Sequence, residues 1–378
     1  MDTHNLEAVV RLRRALHQEP EISGSEQRTA ARILDFFKPL QPDRIVEGLG
    51  GHGLAFHFEG PRAGPTILLR CELDALPIQE ANRVGHRSRV EGVSHQCGHD
   101  GHMSILAAVG SQLSARRPAS GRVILLFQPE EETGAGAAKV VLDPRFAEHA
   151  PTLCFALHNV PGYPLGEVLV RSGSMASASR GMCIQLQGST AHAAHPEAGN
   201  SPANALCKLI AALSALPAGV LPEAEMGFIT VVGARLGEKA FGTAPGQAEI
   251  WATLRAETNA GMQRLITYAD SVSGAFSALD GLEHQRTFED IFPATQNTAG
   301  AVEILRRAAA PSRVTLLEAP FRWSEDFGHF LQGAEGALFG LGSGLDTPQL
   351  HHPEYDFPEE LIEVGAAIFG RILRDCLA

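Results

Sequence analysis

The densest group of reactive side chains is the run His95-Gln96-Cys97-Gly98-His99-Asp100-Gly101-His102. A thiolate beside imidazoles suits zinc or a similar borderline divalent ion. In an extended segment residues two apart point to the same side, so Cys97 and His99 are expected to face one ion, with Gly98 leaving room between them. For His95 and His102, direct ligation, a structural role and orientation of the true ligands all stay open. Glu130, Glu131 and Glu132 form a second group. Three adjacent carboxylates repel one another and would otherwise read as a solvated acidic turn. Beside a metal, one can ligate while another takes a proton from water as general base. Asp74 either orients a ligand, neighbours that base or caps the turn before Pro77. His158 and the pair His351-His352 complete the set.

Each group follows an apolar run of strand length. TILLRCEL leads into Asp74, RVILLFQP into the glutamates, TLCFAL into His158, and GALFGLG precedes His351 and His352. Open α/β sheets carry their sites at the carboxyl ends of strands, so residues distant in sequence are expected to meet on one rim. GLAFHFEG reads as a further strand. Helices are expected over 5–17, about 25–38 with Ser25 as N-cap, 103–113 and 136–142. This alternation predicts an α/β sheet domain. The middle of the chain has another rhythm: a strand at 180–187, a helix opened by Ser201-Pro202 through about 216, and strands at 228–236 and 248–256. A helix capped by Asn259 through about 279 and a strand at 283–288 follow. The order β-α-β-β-α-β is ferredoxin-like. It predicts a small domain, 180–289, inserted between catalytic parts 1–179 and 290–378, with Ser172–Ser179 as one hinge.

Composition narrows the classes. With 378 residues, 44% hydrophobic, the chain exceeds what one core usually holds. Its formal charge of −12 and the lack of a basic stripe argue against a nucleic-acid partner. No apolar run reaches the ~18 residues of a membrane span, and the first residues lack a signal-peptide core. Six thinly spread cysteines fit buried free thiols, so a cytoplasmic location is expected. Neither G-x-S-x-G nor a phosphate-cradling glycine loop occurs. A thiol hydrolase with Cys97 as nucleophile is an alternative that a chelator separates from a metal enzyme.

The motifs ELDALPIQE, HQCGHDGHMSILAA, ILLFQPEEETGAGA, ALHNVPG, GSTAHAAHPEAGNSPANA, WATLRAET, WSEDFGHF and LHHPEYDF occur in this order. From LHQEPEIS to the C-terminus the chain resembles the amidohydrolase branch of the di-metal peptidases. That branch includes hippurate hydrolases, N-acyl-amino-acid amidohydrolases and auxin-conjugate hydrolases. The resemblance implies a zinc-peptidase-like mixed-sheet catalytic domain, an inserted dimerisation lid and two divalent ions (Zn, Mn, Co or Ni). It makes Cys97, His99, Glu132, His158 and His351 metal ligands, with His352 the weaker alternative to His351. Glu131 matches the general base and Asp74 the aspartate of the DALP motif. His192 matches a lid histidine that reaches a partner subunit's site and holds the scissile carbonyl oxygen.

Three departures stand out. Glu72-Leu73-Asp74 replaces the Asp-Met-Asp of many relatives. Pro129-Glu130-Glu131-Glu132 replaces Pro-Ala-Glu-Glu, which leaves the base open to a shift by one residue. Gly242-Thr243-Ala244-Pro245 replaces Asn-Val-Ile-Pro and offers no side-chain amide for a substrate carboxylate, with Arg255 as the candidate substitute. The expected function is metal-dependent hydrolysis of the amide bond in a small N-acyl amino acid, by a homodimer paired through the inserted domain. The alternatives are a dipeptidase on the same site and a non-catalytic ligand-binding protein.

Overall fold

The computed structural model describes the backbone of residues 3–149 and 151–378, and side chains from Asn5 onward in those ranges. The chain divides into two compact units, one of 1–175, 295–320 and 326–378, the other of 176–294 with 321–325.

The first unit is built on an eight-stranded mixed sheet. Its strand order is Arg44–Leu49, Gly53–Glu59, Arg122–Gln128, Thr66–Glu72, Leu153–Val160, Glu335–Gly342, Val168–Val170 and Val314–Leu316. The four central strands, beginning at Arg122, Thr66, Leu153 and Glu335, run parallel. They are buried on both faces, as the near-continuous apolar runs TILL, VILLF and ALFGL require. Because they are parallel, their carboxyl ends share one rim, and the loops leaving that rim carry the reactive groups. Helices Thr3–Gln18, Gln27–Phe37, His99–Ala115, Ala299–Ala309 and Glu360–Cys376 supply the main core together with one face of the sheet. The helix His99–Ala115 is buried almost all round, which explains its apolar character and the glycines along it. A Cβ at Gly101 would lie 2.3 Å from the ring of Phe357, so only glycine lets these segments approach.

The second unit has a four-stranded antiparallel sheet ordered Gly227–Leu236, Gln247–Ala256, Ala178–Gln187, Glu283–Phe292. Helices Ala203–Ala215 and Asn259–Leu279 bury their apolar faces against it around Ile184, Leu209, Ile250 and Leu265. In chain order the elements run strand, helix, strand, strand, helix, strand. A two-stranded ladder, Ala191–His192 with Thr243–Ala244, belongs to the same unit. Among the described residues no helix is long and apolar enough to cross a membrane.

Local capping differs from expectation at three helices. Ser25 caps nothing: Glu26 occupies the N-cap of Gln27–Phe37 and makes no side-chain cap bond. Pro202 takes the N-cap rather than the first helical position, while Ser201 Oγ accepts from Ala203 N at 3.4 Å. Thr258, not Asn259, caps the long helix, accepting from Gly261 N. Asn259 Oδ1 instead accepts from Ala294 N at 2.8 Å, closing the ends of its own unit. Each is a one-residue displacement, arising where neighbouring Ser, Thr and Asn side chains compete for the same amides.

Candidate metal centre

The segment 95–99 is not extended. Gly98 is left-handed at φ 88 and starts the helix at His99, so a turn, not strand alternation, sets the spacing of Cys97 and His99. A Cβ at Gly98 would lie 2.7 Å from Asn159 Oδ1, a second reason for glycine.

His99 and His158 each have one ring nitrogen fixed by a carbonyl and the other facing a second candidate ligand. His99 Nδ1 donates to the Asp74 carbonyl at 2.8 Å. Its buried Nε2 has no hydrogen-bond partner and lies 3.8 Å from Glu132 Oε1 and 3.9 Å from Glu131 Oε2. His158 Nδ1 donates to the Asn159 carbonyl at 2.9 Å, and its Nε2 lies 3.5 Å from Cys97 Sγ. His351 Nε2 lies 3.6 Å from Glu132 Oε2. Three overlapping trios, Cys97/His99/His158, Cys97/Glu132/His351 and His99/Glu131/Glu132, therefore bring ligand atoms within 4.8 Å of one another. Two donors about 2.1 Å from one tetrahedral ion sit roughly 3.4 Å apart, close to these spacings. The lone-pair nitrogens, the thiol and the carboxylates thus fit divalent ions.

The electrostatics favour the same occupant. Burial pushes the Cys97 thiol well up, and the charges of Glu132 and Glu131 add to it, so a thiolate here requires a nearby cation. Burial would lower His99, but its bond to Asp74 and the charges of Glu72 and Glu132 outweigh it and raise it to about 10. Burial opposes ionisation of Asp74, yet its hydrogen bond with His99 and that from Glu132 N keep it low. Asp74 Oδ2 accepts from Glu132 N at 2.9 Å and from Ser23 Oγ at 2.7 Å, so one residue positions both His99 and Glu132.

Glu130 stands apart. Its backbone is left-handed at φ 53, and its carboxylate pairs with Lys139 Nζ at 2.6 and 2.7 Å. His352 is also absent from these trios; its Nδ1 accepts from Glu354 N at 3.2 Å. His102 bridges Glu72 Oε2 at 2.6 Å and Asn159 Oδ1 at 2.5 Å. His95 is fully buried with both nitrogens unpartnered, and burial lowers it to about 3. His192 lies in the second unit, exposed, with Nδ1 accepting from Ala194 N at 3.0 Å. Arg255, also there, is half-buried and donates to Arg322 O and Ser324 Oγ at 2.9 and 3.0 Å, which holds the segment 321–325 on its unit.

Two buried networks went unread in the sequence. Arg70, Glu72 and Asp326 form fully buried ion pairs, and Gln128 Nε2 donates to Asp326 at 2.7 and 2.9 Å. The only sequence signal was the charged Arg70 within an apolar strand. Arg13 and His17 hold Asp100, beside His99, at 2.7 and 2.9 Å, which fastens the N-terminal helix to the ligand loop. Burial opposes a charge on His17, but Asp100 raises it to about 9.

A parallel-sheet rim bearing three overlapping ligand trios with a carboxylate at their edge defines a metal-dependent hydrolase. Residues 68–375 match peptidase family M20/M25/M40, and the chain belongs to that family. It is 27% identical over 366 residues to the N-acetyldiaminopimelate deacetylase of Priestia megaterium, covering 96% of each chain. It is 29% identical over 364 residues to the N-acetyl-L-cysteine deacetylase of Bacillus subtilis, covering 94% of this chain and 84% of that one. The YXEP protein of Bacillus subtilis, a dinuclear metal binding peptidase from the M20 family, superposes with a TM-score of 0.86 at 25% identity, over 100% of this chain and 99% of that one. The chain is an enzyme that hydrolyses amide bonds, and its site takes two divalent metal ions.

Proposed function

We propose that this enzyme removes the acyl group from a small N-acyl amino acid, with Glu131 as general base. The observation that carries the reading is the buried, unpartnered His99 Nε2 facing both Glu131 and Glu132, with Cys97, His158 and His351 completing the trios. Cys97, His99, Glu132, His158 and His351 hold the ions in this reading; zinc and manganese both suit their mixed sulfur, nitrogen and oxygen donors. Bound divalent ions supply Lewis acidity to the carbonyl and make water a stronger acid at neutral pH. Glu131 accepts the proton from the attacking water and passes it to the leaving amine. Asp74 keeps His99 and the backbone at Glu132 in place. The two deacetylases above support an N-acyl amino acid over a dipeptide, since both are named for acetylated amino acids.

His192 is the proposed donor to the scissile carbonyl oxygen. All five proposed ligands belong to the first unit and His192 to the second, which favours a homodimer whose subunits exchange this histidine. The strand–helix–strand–strand–helix–strand unit, with residues 180–289 at its heart, is the proposed dimerisation lid. A cytoplasmic setting belongs to the same reading: all six cysteines are free.

The test is a substrate panel on protein loaded with zinc, manganese or cobalt: N-acetyl and N-benzoyl amino acids, indole-acyl amino acids and dipeptides. The reading predicts kcat/KM at least about tenfold higher on one N-acyl class than on any dipeptide, a gap of ~1.4 kcal/mol in transition-state binding. A preference for dipeptides would replace it with the peptidase reading.

A further inference from the structure

Four stretches of chain deliver the proposed ligands: the turn 97–99, the glutamate turn Glu131–Thr133, the strand Leu153–Val160 at His158 and the loop from His351 to Tyr355. One residue, Asn159, joins three of them, by its side chain to the 97–99 turn and to Tyr355 and by its backbone carbonyl to His158. Asn159 Nδ2 donates to Tyr355 Oη at 2.5 Å. Its Oδ1 lies 2.5 Å from His102 Nε2, and His102 is held in turn by Glu72. The amide packs directly over Gly98, leaving no room for a Cβ. Its own carbonyl accepts from His158 Nδ1, which leaves the other nitrogen of that ring turned towards Cys97 Sγ. The loop is tied back a second time, since His351 N donates to Gln96 O at 2.9 Å. Asn159 and Tyr355 are both fully buried, so water offers neither group a substitute partner.

We infer that Asn159 is a positioning residue which, through Tyr355 and Gly98, locks the segments bearing Cys97, His99, His158 and His351 into one body, so that the two ions bind as a coupled pair. The inference rests on the ligand assignment proposed above. Shifting Asn159 moves the Cys97–His99 turn, the ring of His158 and the anchor of the His351 loop together. No single ion can then keep its geometry while the other loses it. An isolated outer contact would weaken one ion only.

The experiment is calorimetric titration of Mn²⁺ into metal-free wild type, Tyr355→Phe, Asn159→Ala and the double variant, beside thermal melting of the same metal-free proteins. Tyr355→Phe removes one hydroxyl and serves as the folded reference should Asn159→Ala fail to fold. The expected result is at least ~10-fold weaker binding at both ions in each single variant, the range for residues that orient ligands. Metal-free Tyr355→Phe should still melt in one cooperative transition, lowered by the amide left unpaired, and the double variant should bind metal no more weakly than Asn159→Ala, because both changes break one bond. Unchanged affinities in Tyr355→Phe, or loss confined to one ion, would overturn the inference. His158→Ala is the control on the underlying assignment: if it still binds two ions at wild-type affinity, the ligand set is wrong, a failure distinct from that of the coupling.

Discussion

Glu130 and Lys139 form an ion pair, with Nζ 2.7 and 2.6 Å from the two carboxylate oxygens. That pairing separates three consecutive glutamates that look alike in the sequence, because only Glu131 and Glu132 come within 4 Å of His99 Nε2. Glu131→Gln should therefore keep two bound ions per chain and lose at least ~100-fold in kcat, the lower range for loss of a general base. Glu130→Gln should stay within a few fold of wild type. Steady-state kinetics with metal analysis of both variants checks this, and near-normal turnover in Glu131→Gln would move the role to a neighbour.

Cys97 is buried, and its thiol is pushed up by burial and by Glu132 and Glu131, so a thiolate exists there only opposite a cation. Metal-loaded protein should resist iodoacetamide at Cys97, and chelation should increase labelling there. Exposed Cys207 should label in both states and serves as the internal standard. Peptide mass spectrometry reads the ratio; equal labelling of Cys97 with and without metal would count against ligation.

A pair of buried histidines gives a pH prediction away from the site. His57 and His149 meet edge-on with ring centroids 4.7 Å apart, and each has a buried nitrogen with no hydrogen-bond partner. Burial, then His149 and the cations Arg122 and Arg44, lower His57 to about 3, with Asp43 opposing. An unfolded histidine titrates near ~6.5, so below that pH the unfolded chain binds the extra proton and the folded one does not. The stabilisation is intact above pH ~6.5 and falls as pH drops towards 3, by at most about 1.4 kcal/mol per unit from His57. Urea unfolding at pH 7 and pH 5 should show His57→Phe losing less stability on acidification than wild type. Equal losses would contradict it.

Shared sites can be tested by mixing. His192→Ala and Glu131→Gln should each be nearly inactive alone. After subunit exchange, one site per heterodimer regains both the base and the donated histidine, and activity should return to a fraction of wild type. Exchange verified by mass spectrometry with no recovered activity would place His192 at its own subunit's site or make it structural.

The sequence disclosed the sheet and the reactive groups for a plain reason. Runs such as VILLF and TILL are buried on both faces, so their composition alone marks them as strands, and their carboxyl ends fall where Asp74, the glutamates and His158 stand. The geometry inside the site was less legible. Strand alternation would also bring Cys97 and His99 to one side, but the left-handed Gly98 produces the pairing by a turn. Contacts made by tertiary packing left almost no mark: nothing in the order of residues tells Asn159 apart from a surface asparagine, or says that Arg70 meets Asp326 across 256 positions. Caps slipped by one residue because Thr258 and Asn259 are both competent, and the closure of the unit through Ala294 decided between them.

The most direct measurement is activity against metal equivalents. Strip the protein with EDTA, remove the chelator, and titrate Zn²⁺ or Mn²⁺ from zero to three equivalents per chain while following release of the acyl group from an N-acyl amino acid that the panel shows is cleaved. The account predicts no turnover without metal and full activity only as the second equivalent is bound, with Glu131→Gln inactive at every point. Activity that survives chelation would contradict it, and would leave Cys97 as a nucleophile in its own right.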